Sequence, residues 1–405
     1  MTYANRLIEK TLMKLSTAYP AVLITGSRQV GKSTLLKHSI KYKNYITFDD
    51  PTILSEAHND PKGFLNFYQY PLVIDEVQYL SSILKYLKIH IDETNTHGMY
   101  FLTGSQHFNL MQGVSESLAG RIAILELLGF SQREKFSINR IDPFIPTKTY
   151  LQANINLTNI KETQLWEMIY RGSYPDVVLK KYDPDTFYAN YVKTYIERDV
   201  QQIIGITNQF KFIKFLTIVA SRTAQVVNYH DLAMECEISE PTAKSWLSVL
   251  VTSNLIYLLQ PYFKNIEKRV VKTPKMYFLD TGLAAYLTKW KNPDVLRVGN
   301  MSGVFFETYV ISEIIKSYCN AGQTPPIYYY RDSNQNEIDL LFEENGTLFP
   351  IEIKKKSTIT NKDIYNFNVL LSNKNVNVGA GGVICTIDKL AHIKNDFFSI
   401  PISYL

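Results

Sequence analysis

Short apolar runs recur between residues 21 and 127, separated by polar, helix-compatible stretches. Five of them read as strands: Ala21 to Thr25, Asn44 to Phe48, Leu72 to Asp75, Met99 to Thr103 and Ile122 to Leu127. That alternation predicts a parallel sheet covered by helices. The stretch Asn139 to Thr158, rich in Pro, Asn and Thr, reads as an irregular connection. A helical segment is expected from Lys161 to about Ile204, broken at Tyr174-Pro175 and Asp183-Pro184 because proline removes a helical donor.

Beyond it, residues 210 to 290 read as a compact helical module ending in two β-rich runs, Asn254 to Tyr262 and Arg269 to Leu279. From Gly303 a helix precedes two strands, Asn336 to Glu343 and Thr347 to Lys354, joined at Glu344-Asn345-Gly346, a hairpin signal. A chain of 405 residues exceeds what one core organises, and the pattern divides it at 1–135, 136–205, 206–295 and 296–405.

With 45% hydrophobic and 20% charged residues, each unit can bury a core. No run of 18 or more apolar residues occurs, and Met1 to Lys10 lacks the apolar centre of a signal peptide. A cytoplasmic protein with no membrane partner is therefore expected. Cys236, Cys319 and Cys385 lie far apart and form no C-x-x-C pair, which suits a reducing compartment. A formal charge of +5 permits a polyanionic partner without demanding one.

Chemistry enters at Gly26-Ser27-Arg28-Gln29-Val30-Gly31-Lys32-Ser33, which fits G-x-x-x-x-G-K-[ST] between a strand and a helix. Glycines let backbone amides curl around phosphates, Lys32 reaches the β and γ oxygens, Ser33 ligates Mg²⁺, and Thr34 completes the nucleotide-binding set. Leu72-Val73-Ile74-Asp75-Glu76 follows, with Asp75 placed 42 residues after Ser33 to hold the metal and Glu76 to activate water. Thr103, Ser105 and Gln106 at the end of the fourth run are candidates for sensing the γ-phosphate, with Ser105 the catalytic candidate. Arg121, before the fifth run, can stabilise transition-state charge in a neighbouring subunit, with Arg171 and Arg198 as weaker second sensors. These residues predict an ATPase with ATP and Mg²⁺ as cofactors.

Residues 20 to 200 resemble the AAA+ ATPases, in particular a prokaryotic subfamily. Its patterns stand here at Gly26 to Ser33, Val73 to Gln78, Leu102 to Ser105 and Ser117 to Arg121. In that subfamily the ATPase is fused to a C-terminal region long catalogued as a domain of unknown function, and Tyr195 to about Ile384 look like it. The resemblance implies a homo-oligomer, with a hexameric ring as the family-level expectation.

In the middle module, Asp231-Leu232-Ala233 opens a short helix, and Ser239 caps a longer one with Pro241 in its first turn, running to Ser253. Helix, tight turn, helix and two strands is the order of a winged helix. Lys264, Lys268, Arg269, Lys272 and Lys275 stand against Glu267 alone on the expected wing, and Lys244 is the one cation of the presumed recognition helix. They make DNA the expected partner.

Further on, Glu337 and Asp339 share one face of a strand, as do Glu352 and Lys354 across the hairpin, since side chains alternate with period two. Glu307 falls in line with Ile311, Ile314 and Tyr318, which puts a carboxylate on an apolar helix face. The set Glu307, Asp339, Glu352 and Lys354 resembles the site of restriction-endonuclease-like enzymes, where acids bind Mg²⁺ and lysine activates water. That resemblance implies a second Mg²⁺.

The expected fold class is α/β: a P-loop AAA+ domain with a parallel sheet and helical lid, then a winged helix, then a PD-(D/E)xK nuclease-like α/β domain. The expected function is ATP hydrolysis directed at DNA. A signalling switch whose C-terminal region binds a protein, and an ATP-gated nuclease, are the alternatives.

Overall fold

The computed structural model describes residues 3–104, 108–196, 209–263 and 273–405, with backbone alone at 108–112 and 195–196. Ser105, Gln106, Arg198, Lys264, Lys268, Arg269 and Lys272 lie outside the described residues or their described side chains.

The first sheet contains β1 (Ala21–Thr25), β2 (Asn44–Thr47), β3 (Leu72–Asp75), β4 (Tyr100–Thr103) and β5 (Ile122–Glu126), in the order β2-β3-β4-β1-β5. Every pairing in it is parallel. Strand β1 is buried throughout because one core packs on Val22 and Ile24 and another on Ala21 and Leu23. Its parallel neighbours bring Thr25, Asp75 and Thr103 to the same edge, where open α/β sheets take their ligands.

The stretch expected to be irregular contains a helix, Lys148–Ala153. Thr147 caps it by accepting from Tyr150 N at 3.2 Å, a local signal that outweighs the composition. The expected long helical segment resolves into Glu162–Arg171, Pro175–Val178 and Pro184–Tyr191, with breaks at both prolines, followed by one wide turn at Val192–Ile196.

Next comes the helix Gln209–Ser221, β6 (Gln225–Val226), the helices Tyr229–Cys236 and Glu240–Thr252, β7 (Ile256–Leu259) and β8 (Lys275–Phe278). The three strands form an antiparallel sheet in the order β6-β8-β7. Asn228 caps the first short helix, accepting from Asp231 N, so the helix starts at Tyr229, two residues before the Asp231 expected to open it. Ser239 caps the second as expected, and Pro241 stands in its first turn. Strand β7 begins two residues later than expected, after Asn254 takes a positive φ of 55°.

The second large sheet comprises β9 (Ile327–Arg331), β10 (Glu337–Glu344), β11 (Thr347–Lys354), β12 (Asn377–Val378), β13 (Gly381–Cys385), β14 (Ala391–Lys394) and β15 (Phe397–Pro401). Its order is β14-β15-β13-β11-β10-β9, with β12 beside β11, and its pairings are mixed. Asn345 and Gly346, with φ of 49° and 73°, make the two-residue turn between β10 and β11 that the twist of a hairpin favours. The three-stranded and seven-stranded sheets are stitched together where Tyr329 exchanges backbone bonds with Gln260 and Tyr262.

Between the sheets runs the helix Ser302–Asn320, packed against β5, β8 and β11. Sixteen of its 19 residues are buried, so it has no solvent face and the single apolar stripe expected from sequence is incomplete. Within it, Lys316 Nζ contacts Glu313 Oε1 at 2.9 Å, and Glu313 Oε2 accepts from Gln132 N at 2.6 Å. That buried pair fastens the helix to the segment following β5. Cys236, Cys319 and Cys385 are buried and unpaired, and no helix among the described residues is long and apolar enough to cross a membrane.

Candidate functional site

The loop after β1 turns at Gly26, whose φ of 143° leaves no room for a side chain: a Cβ would fall 2.2 Å from Leu127 O. Gly31, at φ 97°, opens the helix Lys32–Ser39, whose first backbone N–H groups lack partners in the helix and face the loop. Lys32 is buried, and its Nζ donates to Gly26 O at 2.9 Å and Ser27 O at 3.0 Å. The loop therefore encloses a fixed cation beside a ring of donors, the requirements of a phosphate cradle.

Asp75, at the end of β3, collects three hydroxyls. Ser33 Oγ donates to its Oδ1 at 2.9 Å, Thr103 Oγ1 donates to the same oxygen, and Tyr45 OH donates to Oδ2 at 2.5 Å. Burial and then Asp75 push the Tyr45 phenol far above its ordinary range, so it remains a donor. Ser33 and Asp75 thus place hard oxygen ligands side by side, which fits Mg²⁺. Glu76 adopts a left-handed φ of 55°, which turns its side chain off the line of β3. Its N–H donates to Thr103 Oγ1 at 3.1 Å, and the Gln78 amide donates to its carboxylate. Thr103 is fully buried and committed to Asp75 and Glu76.

A cleft of about 750 Å³ adjoins the loop, bounded by Gly31, Thr34, His38, Phe130, Tyr3 and Lys180. Tyr3 stacks on His38 with ring centres 4.2 Å apart. Arg6 braces one wall: it contacts Glu134 at 2.9 Å, donates to Val30 O and Leu128 O, and lies 4.4 Å over the Phe130 ring. Its far wall comes from Pro175 to Tyr182, where Lys180 pairs with Asp176 at 2.7 Å. Apart from Val30 and Gly31, none of the residues lining the cleft belongs to the loop motif. The order Pro-Asp-x-x-x-Lys at a helix start is the only sequence trace they leave.

The wall is tied both to the loop and to the middle unit. Tyr174 OH lies 3.4 Å from Ser27 Oγ and donates to Tyr191 OH at 2.8 Å. Beside it, Ser173 N and Oγ both donate to Asp280 Oδ2 at 2.7 Å, while Tyr188 OH and Leu283 N donate to Oδ1 at 2.7 Å. Asp280 is buried just beyond β8 and caps the helix Thr281–Leu287.

Arg121 stands at the start of β5, its carbonyl accepting from Ala21 N, on the edge of the sheet opposite the phosphate loop. Its guanidinium grips Asp92 through Nη2 at 3.0 Å and Nε at 2.5 Å, and both partners are exposed to solvent. Arg171 donates to Val177 O at 3.2 Å and Tyr182 O at 2.9 Å and so braces the cleft wall. On the helix Glu240–Thr252 the exposed positions are Glu240, Pro241, Lys244, Ser245 and Ser248, and Lys244 lies 5.4 Å over the Tyr229 ring.

A second cluster forms where β8, the helix Ser302–Asn320 and the hairpin β10–β11 meet. Lys354 contacts Glu352 Oε2 at 2.7 Å and Asp339 Oδ2 at 3.2 Å, and Ile353 N donates to Asp339 at 2.8 Å. Glu307 accepts from Tyr277 OH at 2.7 Å. Burial first and Asp339 second push the Glu307 carboxyl up to about 7 and Glu352 up to about 9. The four sequence candidates Glu307, Asp339, Glu352 and Lys354 therefore share one site. Lys275 corrects the expected wing: it is buried in this cluster, touching Glu337 and lying 3.7 Å from Glu307, and does not face solvent. Among the described residues no three His, Cys, Asp or Glu groups are gathered closely enough to hold a metal ion.

Residues 18–136 match the family described as an AAA domain. Residues 162–294 and 302–405 match two domains of unknown function, DUF8612 and DUF4143. Two curated relatives, uncharacterized protein Rv2008c of Mycobacterium tuberculosis and uncharacterized protein Mb2031c of Mycobacterium bovis, are each 28% identical over 346 residues, covering 84% of this chain and 71% of theirs. Among solved structures, the Walker-type ATPase PABY2304 of Pyrococcus abyssi is similar at 17% identity and a TM-score of 0.45, over 70% of this chain and 96% of that one. AMPPCP-bound DnaA from Aquifex aeolicus is similar at 19% identity and a TM-score of 0.29, over 62% and 89%. RuvB T158V of Thermotoga maritima gives 17%, 0.32, 62% and 88%. The chain thus carries an AAA+ ATPase-type domain on its parallel sheet and a DUF4143 domain on its mixed sheet.

Proposed function

We propose that this chain binds Mg-ATP and hydrolyses it to drive movement of its middle and C-terminal units on DNA. The observation that carries the ATPase reading is the convergence of Ser33 and Thr103 on Asp75 beside the buried Lys32. Ser33 and Asp75 would hold Mg²⁺, which neutralises charge on the β and γ phosphates. Lys32 and the loop N–H groups bind those phosphates, and Glu76, turned off its strand, takes a proton from the attacking water. Thr103 positions both carboxylates, which leaves γ-phosphate sensing to Ser105 or Gln106. The adenosine lies in the cleft beside Tyr3 and His38.

Arg121 is too far across the sheet to serve its own loop, and its exposed place supports a role toward the nucleotide of a neighbouring copy. That role requires a homo-oligomer, and a cytoplasmic location goes with it. The proposed units are 1–135, 136–205, 206–295 and 296–405. In the third, one helix, a short strand, two helices and two strands with the sheet order β6-β8-β7 support a winged helix, through which DNA would be held. The few cations facing out from Glu240–Thr252 favour a second reading, in which the same helix docks a protein and the molecule is an ATP-driven switch. The contacts among Asp339, Glu352 and Lys354 support a nuclease-like origin for the last unit.

The test is ATP hydrolysis by the full chain with single-stranded, duplex or branched DNA, with Lys32→Ala and Glu76→Gln as controls. Stimulation by one DNA form, lost in both variants and steeply salt-dependent, is expected. Hydrolysis indifferent to every DNA form selects the switch, and no hydrolysis refutes the ATPase.

A further inference from the structure

Lys135 ends the short helix that follows β5 and lines an open cavity of about 520 Å³. Phe136, Met168 and Val178 supply apolar lining, and Arg171, at the end of the helix Glu162–Arg171, supplies a second cation. This cavity shares no lining residue with the nucleotide cleft, although both lie against the segment from Gly172 to Tyr182.

Lys135 is a cation without a counter-ion. Its Nζ donates to Gly172 O at 2.9 Å and meets no carboxylate within ion-pair distance among the described residues. The acids around it are engaged elsewhere: Glu134 holds Arg6, Glu313 on the helix Ser302–Asn320 holds Lys316, and Asp280 accepts from four donors. Glu167, on the helix facing it, lies 3.6 Å from Arg171. Burial first and the Lys316 ammonium second push the Lys135 amine down to about 8, against the pull of Glu313, Asp280 and Glu134. An appreciable share of it is therefore unprotonated at mildly alkaline pH, and an unprotonated lysine amine attacks carbonyl carbon. Arg171 spends Nη2 on Val177 O and Tyr182 O, while Nη1 keeps only Glu167. A guanidinium with N–H groups to spare binds carboxylate or phosphate.

We infer that this cavity is a second ligand site, which takes a small organic anion carrying an aldehyde or ketone: Arg171 holds the anionic group, and Lys135 captures the carbonyl as an imine. The amine nitrogen bonds to the carbonyl carbon, and its two protons leave with the carbonyl oxygen as water, so no oxidant or reductant is consumed. Neither ATP nor DNA enters this step, and its test stands apart from the ATPase reading.

The probes are two pairs of aldehydes, pyridoxal 5′-phosphate with pyridoxal and glyoxylate with methyl glyoxylate, each applied to the full chain. Borohydride fixes the imines, and peptide mass spectrometry reads Lys135 separately from Lys32 and from the exposed Lys291. The charged member of at least one pair is expected to label Lys135 at least tenfold faster than Lys291, and its uncharged partner several-fold less selectively; the pair that shows this assigns phosphate or carboxylate. Lys135 labelled no faster than Lys291, or a selectivity equal for charged and uncharged members of both pairs, overturns the inference. Arg171→Gln should remove the preference for charge and leave labelling by the uncharged members unchanged, and a preference that survives it also overturns the inference. Because the paired aldehydes are compared on the unaltered chain, the first measurement decides the matter even where that variant fails to fold.

Discussion

Replacing Asp280 by Asn changes almost no volume and removes one acceptor oxygen from a buried node. Both carboxylate oxygens are in use, each accepting two bonds at 2.7 Å, and two of the four donors are the backbone N–H groups of Ser173 and Leu283. An amide has one carbonyl oxygen, so whichever way it turns, one backbone N–H loses its acceptor. Ser173 Oγ or Tyr188 OH can rotate away from the new NH₂ group, but an N–H cannot. Stranding a buried N–H costs about 1–3 kcal/mol, and the bonds that survive fall from charge-assisted to neutral strength, losing about 1 kcal/mol each. The expected loss is about 3–5 kcal/mol, a large part of the 5–15 kcal/mol typical of a folded protein. Urea unfolding followed through the buried Trp166, on the helix that leads to Ser173, measures it. Because Tyr174 and Pro175 carry the cleft wall onto the phosphate loop, the ATP concentration for half-maximal hydrolysis should rise as well. A stability change below about 1 kcal/mol would refute the account of Asp280 as a node and leave it an ordinary helix cap.

Three further outcomes follow from the same geometry. Glu313→Ala leaves the ammonium of Lys316, 3% exposed, without its partner, and should cost about 3–5 kcal/mol in thermal or urea unfolding. Gly26→Ala forces a Cβ to 2.2 Å from Leu127 O at a φ of 143°, so binding of a fluorescent ATP analogue should disappear. Glu307 at about 7 and Glu352 at about 9 exceed their ordinary 4.5, so between those limits the folded chain binds more protons than the unfolded chain. Stability should therefore fall as pH rises from about 5 to 9, and Glu352→Gln should flatten that fall in scanning calorimetry.

The phosphate loop, Asp75 and the Asn345-Gly346 hairpin were legible because each is specified within a few consecutive residues. A glycine at a forbidden φ, a carboxylate at a strand end and an asparagine-glycine turn carry their geometry locally. Tyr45 left no such trace: it reaches Asp75 only because β2 pairs with β3, a fact of sheet order. Lys275 was misjudged because it lies in a basic stretch, and only the pairing of β8 between β6 and β7 turns it inward. The long helix misled for a different reason. Apolar spacing identifies one buried face, whereas this helix is packed between two sheets and buries its serines, its threonine and its Glu313–Lys316 pair as well.

That helix has a consequence for how the chain can be divided. Strand β5 is an outer strand of the parallel sheet, and a bare outer strand invites pairing with other chains. Here the flank that buries Ala123 and Leu125 packs against the helix Ser302–Asn320, roughly two hundred residues further on, while Ile124 stays exposed. A fragment ending at residue 295 would expose that flank and should aggregate, even with every nucleotide-binding residue in place. The domains that the family matches separate along the sequence thus share buried surface in the folded chain.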